Sequence, residues 1–375
     1  MSDRVKQIAR AVVREEIQAL SAYHVPEPGN MIKLDAMENP YLWPQEMQEQ
    51  WLDGLKNIAV NRYPDPSAAK LTRRLEQVMA VPSGMRSILG NGSDELIQII
   101  CMALAKPSAV VMASEPTFVM YDMIARFTNM RYQSVPLNSA FQLDMPAMLQ
   151  AIEEYNPAVI FLAYPNNPTG NLFTEQDVRT LIEKSGGLVV VDEAYHVFAG
   201  HSFMPMLKEY NNLVVMRTVS KMGLAGLRLG ILSGPADWLN EFDKIRLPYN
   251  INVLTQYSAE FALQHSDILK QQTDQICQDR ETMKQALAEI EDIKQYPSNA
   301  NFILFKVLTR DSDQIFESLK QDKVLIKRFP DTSGPLAGCL RVTIGKPEEN
   351  EAFLKALKKV FSVQKEPEQY HLYLT

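Results

Sequence analysis

The run GLVVVDEAY (187–195) constrains the fold more than any other feature of the chain. Its apolar part has strand length and no polar alternation, so both of its faces must be buried. Short runs rich in Val, Ile and Leu recur at 109–113, 158–163, 213–217 and 229–232. Helical stretches such as 95–104 and 175–183 lie between them. Strands buried on both faces and alternating with helices predict an α/β fold with a mostly parallel central sheet. After about residue 250 the pattern changes. A long helical region runs through Met283, Leu287 and Ile290, then a strand is expected at 301–307, a helix at 312–319, a strand at 340–343 and a helix at 347–360. At 375 residues the chain is long for one core, and two domains are expected. The division reads as an N-terminal arm and helix over 1–40 packing with the small domain, a large α/β domain over 41–255, and a smaller α+β domain over 256–375. Residues 23–66 are punctuated by Pro and Gly and predict loop and short helix. The polar, aromatic tail over 362–375 has no assigned place.

Composition excludes several classes of function. The net charge is −7, which repels nucleic acid and anionic membranes, so no partner of either kind is expected. An anionic ligand then needs a local basic pocket. Cys101, Cys277 and Cys339 are far apart and lack metal-ligand spacing; they read as reduced thiols of a cytoplasmic protein. His196 and His201 are the closest histidine pair, without further ligands nearby, so no metal site is expected. No apolar run approaches the ~18–20 residues of a membrane span. At the N-terminus Val5, Ile8, Val12, Ile17 and Leu20 fall near helical spacing among charged residues, which is an amphipathic helix and not a signal peptide.

In an open α/β sheet, ligands bind outside the carboxyl ends of the strands. The run at 187–195 places Asp192 at such an end. A nucleotide hydrolase would add G-x-x-x-x-G-K-[ST], and the chain has no such motif. RTVSKMGLAGLRLG (217–230) places Lys221 after the next strand, with Arg228 among glycines seven residues on. A desolvated lysine loses basicity and forms Schiff bases; a solvated one is only a surface charge. LGNGSDE (89–95) leads from a strand into a helix. Its backbone N–H groups and Ser93 hydroxyl suit an anion, and an ordinary helix cap is the plain alternative. Asp94 and Glu95 would repel a phosphate if they faced it. AYPNNPTG (163–170) follows another strand and holds Asn167 beside Pro168, either as a Pro-rich turn or as a rigidly presented amide.

These four segments, in this order, resemble the fold-type I aminotransferases along nearly the whole chain, in particular the branch that acts on histidinol phosphate. The resemblance implies pyridoxal 5'-phosphate (PLP) as cofactor. It makes Lys221 the Schiff-base lysine and the proton-shuttling base, Asp192 the partner of the pyridine nitrogen, and Tyr195 and Asn167 the partners of the ring oxygen. Phe118, in EPTFVMY (115–121), matches the aromatic that stacks on the ring. Gly92, Ser93, Asp94, Ser220 and Arg228 fall around the cofactor phosphate. Tyr63, in NRYPDP (61–66), resembles a tyrosine that reaches the phosphate of the other subunit's cofactor, which implies a homodimer with shared active sites. Arg341, in CLRVTIG (339–345), resembles the substrate-binding arginine. Arg328, thirteen residues earlier, matches a second arginine converging on the substrate phosphate, with Tyr23 and Asn167 nearby. The acceptor 2-oxoglutarate would use the same arginines. Three features depart from the pattern. The lysine-to-arginine spacing is one residue shorter than the family's, Phe118 stands where relatives often carry Tyr, and the tail lacks a counterpart.

The expected activity is therefore transamination of histidinol phosphate with 2-oxoglutarate, a step of histidine biosynthesis. An aromatic amino acid aminotransferase would use the same site. A PLP lyase resembling threonine-phosphate decarboxylase shares the motifs as well. A PLP-binding regulator would need a DNA-binding domain before Tyr23, and only 22 residues precede it.

Overall fold

The computed structural model describes residues 2–22, 26–329 and 333–362. Twelve strands occur among them: β1 (Ile32–Leu34), β2 (Arg86–Gly90), β3 (Val110–Glu115), β4 (Arg131–Pro136), β5 (Val159–Ala163), β6 (Leu188–Asp192), β7 (Leu213–Thr218), β8 (Gly230–Gly234), β9 (Ile293–Gln295), β10 (Phe302–Val307), β11 (Val324–Arg328) and β12 (Cys339–Thr343). Seven of them form one sheet in the order β2-β8-β7-β6-β5-β3-β4. β3 to β7 pair in parallel, and β8 alone runs against both of its neighbours. The expected mostly parallel sheet is present. Every residue of β5, β6 and β7 is buried, as strands covered by helices on both faces must be. One covering layer packs Ile97, Ile100, Tyr121 and Ile124 against Val111, Val190 and Val214; the other packs Met148, Val178 and Leu181 against Ile160, Val189 and Val215.

The apolar runs locate the central strands to within two residues of their observed ends. The polar edge strand β4 was not anticipated. Its sequence RYQSVP pairs with β3 only and leaves both ends exposed, so it lacks the apolar signature of its neighbours.

The second sheet has five strands, in the order β1-β11-β12-β10-β9. Its core gathers Phe302, Phe305, Leu340, Val342 and Phe353. The N-terminal segment contributes β1, which pairs in parallel with β11. β1 and β9 are three residues long, too short to show periodicity in sequence. The long helical region divides into Val253–Gln264 and Ser266–Ala288. The N-terminal helix Ser2–Val12 ends before Arg14, which turns extended and donates from Nη2 to the Phe127 carbonyl at 2.6 Å. The tail beyond Ser362 lies outside the described residues.

Candidate active site

The carboxyl ends of β2, β3, β5, β6 and β7 open on one edge of the large sheet, and β8, being antiparallel, begins at that same edge. The segments that follow or precede these ends therefore converge. They line a cavity of about 130 Å³ whose walls include Ser93, Asp94, Phe118, Asn167, Asp192, Tyr195, Ser220, Lys221 and Arg228. Nine of the residues expected at the site thus share one cavity. Gly92 lies against the Arg228 side chain at its rim: a Cβ there would stand 2.7 Å from Nη2. With φ at +77°, this position also favours glycine on backbone grounds.

Lys221 sits on a single turn, Ser220–Met222, directly after β7. Its Nζ lies 3.5 Å from the Ala36 carbonyl and 5.6 Å above the Tyr195 ring. Burial, with Arg341 and Arg228 adding repulsion, pulls its amine down to about 8. The amine is then more often neutral near pH 8 than a solvated lysine, and so more nucleophilic. Asp192 ends β6, buried, and receives hydrogen bonds from the Tyr121 hydroxyl at 2.7 Å and the Ala194 N–H at 3.1 Å. Burial outweighs those bonds and raises its carboxyl to about 6. A cationic ring nitrogen beside it would favour the ionised form. Tyr195 is buried as well, its phenol pushed up by burial, with its ring edge-on to Phe302 at 5.2 Å. Next to Asp192, Glu193 forms a buried ion pair with Arg217 at 2.7 Å and accepts from the Phe203 N–H and the Ser202 hydroxyl, which fixes the chain as it leaves β6.

The candidate anion-binding end lies at the start of the helix Gly92–Leu104. Its first-turn N–H groups lack helical partners and attract negative charge. Glu95 does not face this end. It turns back to the Asn91 N–H at 2.6 Å and to the Asn250 amide at 2.9 Å. Asp94 is paired with Arg228 at 3.1 Å. The shortened loop still delivers this arginine. Gly223, at φ +108°, and Arg228, itself left-handed at φ +48°, close the loop around a second short turn, Ala225–Leu227. Ser220 is tied by its Oγ to the Thr218 hydroxyl at 2.9 Å.

Arg341 enters from β12. Its Nη1 donates to Asn167 Oδ1, and its Nη2 to the Asp35 carbonyl at 3.0 Å. With its oxygen engaged, Asn167 has its NH₂ group left to offer a ligand oxygen. The neighbouring Asn166, fully buried, bridges the loops after β3 and β5 by accepting from Thr117 and donating to the Pro116 carbonyl. Sequence patterning did not single it out, although a second Asn before the motif prolines is visible in the chain.

Arg328 stands apart from Arg341 in this structure. Strands β11 and β12 pair Lys327 with Arg341 and Arg328 with Leu340. Directly opposed residues share a face, and successive residues alternate. Arg328 therefore points away from Arg341. It pairs with Asp313 at 2.7 Å and stacks on Phe316 at 5.5 Å, both on the helix Ser312–Gln321. Lys327 takes the face expected of Arg328, with its basicity lowered by burial and by Arg341. Tyr63 is not brought to the cavity of its own chain: it is 81% exposed and stacked on Tyr249 at 4.6 Å. Tyr23 lies outside the described residues.

A depressed lysine, a buried carboxylate, an aromatic ring in the cavity wall and a helix N-terminus with an arginine suit a small aromatic aldehyde bearing a phosphate, which is the chemistry of PLP. The site is thus that of a cofactor-dependent group-transfer enzyme on a fold-type I scaffold. The chain belongs to the class I and II aminotransferases, whose family model matches residues 29–357. It is 55% identical over 356 residues, covering 95% of this chain and 98% of the relative, to histidinol-phosphate aminotransferase 2 of Nitrosococcus oceani. It is 47% identical, covering 92% and 95%, to histidinol-phosphate aminotransferase 2 of Cupriavidus pinatubonensis. Its fold is similar to that of histidinol-phosphate aminotransferase from Sinorhizobium meliloti, a structure in complex with PLP, with a TM-score of 0.81, 23% identity, and coverage of 93% and 97%.

Proposed function

We propose that the chain is a PLP-dependent transaminase that moves the amino group of histidinol phosphate to 2-oxoglutarate. The observation that carries this reading is the pairing of Arg341 with Lys327 across β12 and β11, which sets two cations side by side on one face, with Arg341 near enough to Lys221 to lower its basicity. Two adjacent cations match a phosphate dianion or a dicarboxylate, which are the charged groups of the two substrates. The sequence similarity to relatives named for the same activity supports it.

PLP, when bound, supplies an electron sink for the substrate carbon that loses its proton. In this reading the chain's own groups take the roles that the family resemblance implies, and their convergence on one cavity supports it. Lys221 Nζ would be the group that holds the cofactor, and its free amine would serve as the base and acid that moves the proton at the reacting carbon. Asp192 keeps the ring nitrogen protonated. Asn167 and Tyr195 hold the ring oxygen, and Phe118 covers one ring face. Gly92, Ser93, Asp94, Ser220 and Arg228 hold the phosphate. In this reading the cofactor groups belong to the large domain, residues 41–255, and Lys327 and Arg341 to the small one, residues 256–375. The exposed Tyr63 ring belongs to a homodimer with shared sites. The unpaired thiols Cys101, Cys277 and Cys339 suit the cytoplasm. Among the described residues no helix is long and apolar enough to cross a membrane.

The test is a donor screen by half-transamination, following conversion of bound PLP to its amine form without an acceptor. Histidinol phosphate is expected to convert the cofactor fastest. Rapid conversion by phenylalanine or tyrosine and none by histidinol phosphate would overturn the assignment, as would carbon dioxide release from a phosphorylated amino acid without amino transfer.

A further inference from the structure

Tyr121 has no part in the roles assigned above, yet it touches two of the groups that bear on the ring. It is fully buried on the helix Met120–Phe127, with its ring stacked on Phe161 at 4.8 Å. Its ring meets Phe118 edge-on at 5.6 Å and 87°. Its hydroxyl donates to Asp192 Oδ2 at 2.7 Å, while the Ala194 N–H binds Oδ1 at 3.1 Å. One side chain thus braces the ring-stacking aromatic and holds the carboxylate. The helix comes off β3, two strands away from β6 in the sheet. A hydroxyl buried at that depth is costly unless it is bonded, and Asp192 accepts its hydrogen bond.

We propose that Tyr121 is the positioning residue for Asp192: its hydroxyl orients the carboxylate toward the cavity and keeps it ionised against the ring nitrogen of the cofactor. This inference rests on the PLP reading above. A hydrogen bond to the charged form favours that form. Without the phenol hydroxyl the carboxylate is more basic and draws the shared proton away from the ring nitrogen. A ring nitrogen that has lost its proton withdraws fewer electrons, so the nitrogen linking the cofactor to Lys221 becomes more basic.

The experiment compares wild type, Tyr121→Phe, Asp192→Asn and the double variant. Phe retains the ring contacts with Phe161 and Phe118. Two quantities are read: the dissociation constant of PLP from apoenzyme, and the pH midpoint of the absorbance change of the Lys221-linked cofactor. In the Asp192 background, Y121F is expected to weaken PLP binding about threefold to tenfold and to move the midpoint upward. In the D192N background it is expected to change neither, because the group it acts through is gone. Unchanged values in the Asp192 background would overturn the proposal, and so would equal changes in both backgrounds, which mark a packing role. Borohydride trapping separates this from failure of the cofactor reading. Wild-type chain that captures no PLP on Lys221 would overturn that reading and the inference with it.

Discussion

Burial shifts Asp192 and Lys221 each toward its neutral form, and a cationic ring nitrogen beside Asp192 would reverse the shift there. The Asp192 carboxyl rises from 3.8 to about 6, chiefly through burial. The native state therefore binds more protons than the unfolded chain between about pH 4 and pH 6, so this group's contribution to stability falls as pH rises through that window. Lys221 is lowered from 10.5 to about 8. The unfolded chain then binds more protons between about pH 8 and pH 10.5, and stability rises with pH there. The unfolding free energy of apoenzyme, measured for wild type and D192N, should show a difference that changes between about pH 4 and pH 6 and is flat above. Saturating PLP should remove most of that dependence. A difference that is constant across pH 4 to 7 would mean that Asp192 is not a buried, raised carboxyl. The sequence made these two residues legible because Asp192 ends a buried, largely apolar strand and Lys221 follows the next strand by three residues. Their electrostatics were not legible, since burial is contributed by segments far away in the chain.

At the scale of elements, register decides which cation stands beside Arg341. Arg328 and Lys327 are neighbours in sequence and stand on opposite faces of β11. Nothing in KVLIKRF (323–329) distinguishes them, because a strand of alternating faces can be read in either phase until its partner is known. Lys327→Ala is expected to raise the KM for histidinol phosphate roughly tenfold to a hundredfold, through loss of a charge-assisted contact, with a smaller effect on kcat. Arg328→Ala should leave KM unchanged. It should cost about 1 kcal/mol of stability or less, since its ion pair with Asp313 is partly exposed. The opposite pattern in steady-state kinetics would restore the original placement of Arg328. The loop from Lys221 to Arg228 shows the same lesson in reverse. It is shorter than the family pattern, yet two single turns and left-handed residues at Gly223 and Arg228 bring the guanidinium to Asp94.

At the scale of the whole molecule, one chain leaves apolar surface uncovered at Leu42, Val60, Tyr63 and Leu247, each at least 70% exposed. Tyr63 stacks on Tyr249 at the surface and reaches no cavity of its own chain. In the proposed dimer it completes the partner's phosphate site. Subunits carrying Lys221→Ala and subunits carrying Tyr63→Ala should each be impaired alone and should regain activity when unfolded together and reassembled, because a mixed dimer holds one site with both residues intact. The absence of any regain, with mixed dimers demonstrated by mass spectrometry, would place each site within a single subunit.

The sequence by itself determined the class of fold, the strand end that carries Asp192, the segments after strands that carry Asn167 and Lys221, and the glycine-opened start of the helix Gly92–Leu104. These are local properties: apolar runs of strand length, helical periodicity and turn residues act over a few positions each. The tertiary structure alone decided the rest. It turned Glu95 back to Asn91 and Asn250, set Lys327 rather than Arg328 beside Arg341, and brought Tyr121 to Asp192 from a helix that comes off β3. Register, facing and burial are relations between segments distant in the chain, and they exist only once the sheets have paired and packed.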